Sequence, residues 1–217
     1  MPVNKEAYQS IKRELDLKQV KLIAVSKTKP IEDIKELYDL GQRDFGENYV
    51  QELADKAGQL PRDINWHFIG HLQTNKVKLI APFVQLIHGV DSLKLLKEIN
   101  KEGGNNNRVI DCLLQVHIAE EETKFGLDEK ELNEIMLQFA DESMSHVRII
   151  GLMGMASFTS DTNKVSGEFQ KLKQLFDQYT KLQTLSMGMS SDYKVAVEEG
   201  SNMVRIGSLL FGERVKK

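Results

Sequence analysis

The sequence predicts an α/β protein built as one (β/α)8 barrel. Three observations carry that reading: eight short apolar runs, helical periodicity in most intervals between them, and a length of 217 residues, at the short end for eight such units. The strand runs are 22–27, 44–48, 66–70, 86–91, 112–118, 147–155, 184–190 and 203–211. Helical spacing covers 31–40, 49–57, 92–100, 129–140, 165–179 and 192–199, and a weaker helix at 72–81 is polar at its start and apolar at Val77, Leu79 and Ile80. A further charged helix, 3–15, precedes the first strand. Alternation of this kind implies parallel pairing through right-handed crossovers. A doubly wound open sheet is the alternative, because a strand count does not show closure. The run Gly103-Gly104-Asn105-Asn106-Asn107 reads as a loop. With no linker elsewhere, 1–217 is expected to form a single domain.

Composition excludes several functions. The 29 basic and 32 acidic residues leave a net charge of −3, so the basic excess of a nucleic-acid-binding surface is missing. Cys112, the single cysteine, lies in an apolar run and is expected to be a packed thiol in a reducing compartment. The polar N-terminus has no signal-peptide core, and no apolar stretch reaches membrane-spanning length. A soluble cytoplasmic protein is expected.

Function in such a barrel sits at the carboxyl ends of the strands. Lys27 follows the apolar run 20–25, and Pro30 opens the next helix in a position that helix starts tolerate. An apolar strand end can lower an amine's pKa by desolvation and ready it to attack a carbonyl. Taken alone, the stretch reads rather as a lysine that extends to the surface. Read as strand ends, Glu47 and Asn48, His71, Ser157 and Thr159, 186–191 and 205–208 converge with Lys27.

Arg205 stands inside the otherwise apolar segment 203–212, where a guanidinium is costly unless paired or facing a planar acceptor. Gly207 allows close backbone approach and Ser208 adds a hydroxyl, which suits the phosphate cradle that barrels build after strands 7 and 8. Ser186-Met-Gly-Met-Ser-Ser-Asp192 offers similar chemistry from strand 7, although Ser-Ser-Asp alone reads as helix capping. Together the two segments read as a phosphate site. His67 and His71 straddle a strand end with no third ligand, so no metal is expected. Lys29 and Lys76 read as surface lysines. The methionines at 153, 155, 187, 189 and 203 read as core filling.

The stretches AVSKTKP (24–30), FGENYVQE (45–52), WHFIGHLQTNK (66–76), KFGL (124–127), GLMGM (151–155), SMGMS (186–190) and MVRIGSLLFGER (203–214) together resemble the pyridoxal 5′-phosphate (PLP) homeostasis protein family. That family shares the barrel of alanine racemase, but without the second, β domain of the racemase. The resemblance implies PLP as cofactor, held by Lys27 as a Schiff base. It implies that the ends of strands 7 and 8, with Ser186, Gly207 and Ser208, hold the phosphate, and that Arg205 faces the pyridine nitrogen. Asn48 is a candidate for a hydrogen bond to the cofactor or its surroundings. Ser208 stands where many relatives have threonine; either supplies the hydroxyl.

The function implied is to buffer PLP or deliver it to apo-enzymes of vitamin B6 and amino-acid metabolism, without turnover. A monomer is expected, because racemase dimerisation uses the β domain for which the chain leaves no room after Phe211. Two alternatives compete. One is a PLP-dependent amino-acid racemase, which needs that domain and the partner subunit's tyrosine. The other is a phosphate-sugar or nucleotide barrel with Lys27 as an aldolase-type lysine.

Overall fold

The computed structural model describes residues 3–120, 125–141 and 144–213. Eight parallel strands close into a barrel in sequence order: β1 (Lys21–Val25), β2 (Asp44–Glu47), β3 (Asn65–Phe68), β4 (Leu86–Val90), β5 (Ile110–Gln115), β6 (Val147–Met153), β7 (Thr184–Met189) and β8 (Met203–Ile206). Closure settles the choice between barrel and open sheet: β8 pairs back on β1, with Ile23 opposite Arg205 and Ala24 opposite Ile206. Outside the strands run α1 (Lys5–Leu17), α2 (Ile31–Asp39), α3 (Val50–Ala57), a 3₁₀ turn (Thr74–Lys76) leading into α4 (Val77–Ile80), α5 (Leu93–Asn105), α6 (Glu129–Asp141), α7 (Thr162–Asp177), α8 (Tyr193–Glu198) and the short α9 (Ser208–Phe211). Among the described residues there is no second domain, and no helix is long and apolar enough to cross a membrane.

Local chemistry explains the elements that position the site. Asn4 caps α1, its Oδ1 accepting from the Ala7 N–H at 3.0 Å. Tyr8, Ile11 and Leu15 then bury one stripe of that helix at three- and four-residue spacing. Within the strands, alternate residues serve different layers. Leu22 and Ala24 join the large core between sheet and helices, whereas Ile23, Leu86, Leu113, Met153 and Met203 form a separate small cluster inside the barrel.

Two differences from expectation change the nature of a segment. Residues 103–105 are helical, so the glycine pair does not make a loop. A Cβ on Gly103 would sit 2.5 Å from the His146 carbonyl oxygen, so the glycine allows the chain entering β6 to pass close to α5. At the other end, β8 stops at Ile206 and Ser208–Phe211 turn as a helix, so the run 203–211 is a strand followed by a helical turn. Leu209, Leu210 and Phe211 are apolar in either geometry, which is why periodicity does not separate them.

Gly151 on β6 faces Thr184 on β7, and a Cβ there would lie 1.8 Å from the Thr184 carbonyl oxygen. Gly151→Ala is expected to cost about 3 kcal/mol or more in urea denaturation. Gly167→Ala, inside α7 with open space around the new methyl, should instead gain about 0.5–1 kcal/mol. Equal effects from the two would remove the β6–β7 contact as the cause.

Candidate functional site

A cavity of 550 Å³ opens at the carboxyl ends of the strands. Lys27, Asn48, Ser190, Ser191, Arg205, Gly207 and Ser208 line it, with an apolar wall that includes Val25, Ile69, Met155 and Met189. A larger groove of 710 Å³ lies outside the barrel along α1, between Lys12, Arg13 and Leu40, and Tyr8 is the one buried residue of its lining. The polar groups that the strands carry to the barrel mouth line the smaller space.

Lys27 sits in the turn that leaves β1, and a buried ionic cluster holds that turn. The Lys56 ammonium, on α3, donates to Glu47 Oε1 at 2.8 Å, Glu52 Oε1 at 2.7 Å and the Ser26 carbonyl at 2.8 Å. The Ser26 hydroxyl donates to Glu47 Oε1 at 2.6 Å, and the Thr28 N–H donates to Glu52 Oε1 at 2.6 Å. The residues on either side of Lys27 are thus tied to one ammonium and two carboxylates. Thr28 is held at φ 64°, a strained value for a β-branched residue. Burial pushes the Glu47 carboxyl up from its ordinary range, and the Lys56 charge and the Ser26 hydroxyl partly offset this.

Arg205 forms the floor on the β8 side and is only 4 % exposed. Its Nη1 donates to the Ser186 carbonyl at 2.9 Å and the Ser186 hydroxyl at 2.6 Å, and Nη2 donates to the Gly154 carbonyl at 3.0 Å. Burial lowers its pKa to about 10, with Asp192 opposing through space, so it is charged at neutral pH. Opposite, Asn48 Oδ1 is buried at the cavity wall without a hydrogen-bond partner among the described residues. At the remaining edge the Gly207 N–H donates to the Ser190 hydroxyl at 3.2 Å. The first N–H groups of α9 have no carbonyl a turn back to bond. A Cβ on Gly207 would meet Val25 Cβ and O at 3.3 Å, so the cradle is tight even before a ligand enters.

Five of the six residues expected at a cofactor site share this cavity: Lys27, Asn48, Arg205, Gly207 and Ser208. Ser186 is a correction. It lies within β7, fully buried, and its hydroxyl holds Arg205 from behind, while Ser190 and Ser191, four and five residues on, reach the cavity. Lys29 is no plain surface lysine: its ammonium donates to the Phe211 carbonyl at 2.6 Å and the Gly212 carbonyl at 3.3 Å. Met155 and Met189 line the cavity, whereas Met153, Met187 and Met203 fill the core. His71 lies off the cavity, paired with Asp91 at 3.1 Å and stacked on Phe125. Ser157 is buried, bonded to Glu168. Lys124 and Arg214 of the sequence motifs lie outside the described residues. Lys56 gave no sequence signal, because a lysine among helix charges reads as solvated. No group of His, Cys, Asp and Glu that could hold a metal occurs among the described residues.

A lysine and a buried arginine thus line one cavity at the barrel mouth. The alanine racemase N-terminal domain family matches residues 5–215, and the chain belongs to that family. Within it, the chain is 44% identical over 200 residues to a pyridoxal phosphate homeostasis protein of Aquifex aeolicus, covering 89% of this chain and 87% of the relative. A protein of the same name from Homo sapiens is 40% identical over 233 residues, covering 98% and 84%. The structure of PipY from Synechococcus elongatus with PLP bound superposes with a TM-score of 0.87 at 35% identity, covering 95% of this chain and 99% of PipY. An alanine racemase from Bartonella henselae shares the fold, with a TM-score of 0.70 at 17% identity, and 62% of its chain is covered.

Replacing Lys56 by methionine strands the Glu47 charge, a change expected to cost about 3–5 kcal/mol near neutral pH. The loss should depend on pH with a definite sign. Glu47 already has a raised carboxyl pKa, and losing Lys56 raises it further. The folded variant then keeps a proton that the unfolded chain releases above about pH 4.3. The penalty should therefore shrink toward pH 5 and grow as pH rises through the folded pKa. Urea midpoints at pH 5 and pH 8 test this, and an equal penalty at both would clear Glu47.

Proposed function

We propose that the chain binds pyridoxal 5′-phosphate in the mouth cavity, holds it as a Schiff base on Lys27, and buffers or delivers it without turnover of its own. The observation that carries this is the shared lining of one 550 Å³ cavity by Lys27, Arg205, Asn48 and the Ser190–Gly207–Ser208 edge. These groups match the parts of the ligand: an amine for the aldehyde, N–H donors and hydroxyls for the phosphate, and an arginine for the ring nitrogen. The names of the relatives and the PLP bound to PipY support the same reading. Lys27 carries the match to the AVSKTKP motif, and the Lys29 ammonium donates to the carbonyls that end α9.

Arg205 also bears on why the site holds rather than turns over. Arginine only donates, so a ring nitrogen facing it accepts an N–H and stays unprotonated. PLP contributes an electron sink to amino-acid chemistry, and enzymes that use it fully commonly place a carboxylate at that nitrogen. Besides lysines, the acid–base groups among the described lining residues reduce to exposed Glu213, with no tyrosine, histidine or cysteine. The protein is read as a monomer that releases PLP to apo-enzymes.

Borohydride reduction of the PLP-loaded protein, followed by peptide mass analysis, should place the adduct on Lys27. Lys27→Ala should lose the adduct and the visible absorption band while keeping its circular dichroism. An adduct formed elsewhere at wild-type yield would overturn the assignment. Pyridoxal should bind at least about tenfold more weakly than PLP if the phosphate makes even one charge-assisted hydrogen bond more.

Turnover is tested by deuterium exchange at the α-carbon of alanine with the loaded protein. Exchange no faster than with free PLP is expected. A rate on the order of 1 s⁻¹ would favour a racemase instead.

A further inference from the structure

We propose that Ser186, His88, His67 and Asp44 are positioning residues for Arg205. They form a one-directional hydrogen-bonded chain through the barrel, in which every proton points from the guanidinium at the mouth to the carboxylate at the base. The geometry is continuous. Arg205 Nη1 lies 2.6 Å from Ser186 Oγ, which lies 3.3 Å from His88 Nδ1. His88 Nε2 lies 3.0 Å from His67 Nδ1, and His67 Nε2 lies 3.0 Å from Asp44 Oδ1. Both rings, Ser186 and Arg205 are buried, and Asp44 opens toward the amino-terminal rim beside Lys21.

Donor and acceptor chemistry fixes the direction. The direction is set from the Asp44 end: an ionised carboxylate only accepts, so His67 Nε2 carries a proton and gives it to Asp44. In a neutral His67 ring Nδ1 then accepts, which places the His88 proton on Nε2, aimed at His67. In a neutral His88 ring Nδ1 accepts in turn, and takes the Ser186 hydroxyl proton while Ser186 Oγ accepts from the guanidinium, which only donates. The one-directional chain requires both imidazoles to be neutral. Burial favours that state, pushing His88 well below the ordinary histidine range and His67 down as well, with Asp44 partly opposing at His67. Burial works against ionisation of Asp44, but its bond to His67 and the Lys21 charge hold the carboxyl below its ordinary range.

The chain answers a problem that the cavity poses. No carboxylate among the described residues lies within ion-pair distance of the Arg205 guanidinium. An unpaired buried cation needs aligned dipoles in place of a partner. Ser186 can offer its lone pair to Arg205 only while something accepts its proton, and His88 is that acceptor. The orientation of the guanidinium at the cofactor cavity therefore depends on two rings that never reach the cavity.

The test has one part that needs no ligand, and a second that rests on the PLP-binding reading above. Nitrogen-15 histidine spectra of the full chain without PLP, at pH 7, should show His67 and His88 as neutral rings protonated on Nε2. An Nδ1-protonated ring or an imidazolium at either position would overturn the chain. In the second part, PLP affinity is compared for His88→Leu and His88→Gln. The leucine breaks the chain and should weaken binding about tenfold, the effect of losing one hydrogen-bonded contact. The glutamine amide can accept from Ser186 and donate to His67, and should bind within about threefold of wild type, well inside the cost of one such contact. Equal weakening by both variants, or none by a folded His88→Leu, would overturn the positioning role. If the wild-type chain bound no PLP, the functional reading would fail while the spectra still decided the chain.

Discussion

The site exists because β1 pairs with β8. That single ladder, with Leu22 opposite Val204 and Ile23 opposite Arg205, brings the turn after the first strand beside the turn after the last. Lys27 and Ser208 then line one cavity from opposite ends of the chain. Two further bonds fasten the same seam: the Lys29 ammonium on the Phe211 carbonyl, and the Asn4 N–H on the Leu210 carbonyl at 2.8 Å. In an open sheet these groups would sit on different strands with no reason to meet. Closure is also the strand pairing of greatest sequence separation, so its loop entropy is the largest of the strand-pairing costs that the other contacts must offset. A ligand that bridges the two turns binds only the closed barrel and stabilises it by mass action. Binding and closure are one equilibrium.

The alternation of strands and helices was legible because buried strands read as continuous apolar runs and the helices as stripes at 3.6-residue spacing. The candidate site was legible in part for a different reason. Lys27, Asn48, Arg205, Gly207 and Ser208 stand at strand ends, where a barrel collects its chemistry. Ser186 illustrates the limit. Its distance from Ser190 is four residues, and only the strand's actual end, at Met189, decides which serine lines the cavity and which is buried. The glycine pair at 103–104 looked like a turn because sequence cannot show that another segment passes 2.5 Å away. The buried partners, Lys56, His67 and His88, left no local trace, since each is defined by a group far away in the chain.

Those hidden partners show how one barrel accommodates two buried cations in different ways. Lys56 is paired directly, by two carboxylates and a carbonyl, in the layer between sheet and helices. The pairing neutralises the charge where it stands, and its effect is mechanical: it fixes Ser26 and Thr28, and with them the turn that carries Lys27. Arg205 is not neutralised where it stands. Its charge is met by carbonyls, a hydroxyl and neutral rings, so it still acts across the cavity.

The result is a mouth lined by Lys27, Lys29 and Arg205 on a chain whose net charge is −3. Such a concentration of positive charge in a low-dielectric cleft draws an anionic phosphate ester more strongly than the surrounding surface does. A carboxylate bonded to Arg205 would have cancelled that charge at the cavity. Asp192 opposes it only through space, so the protein buries the arginine and still uses its charge.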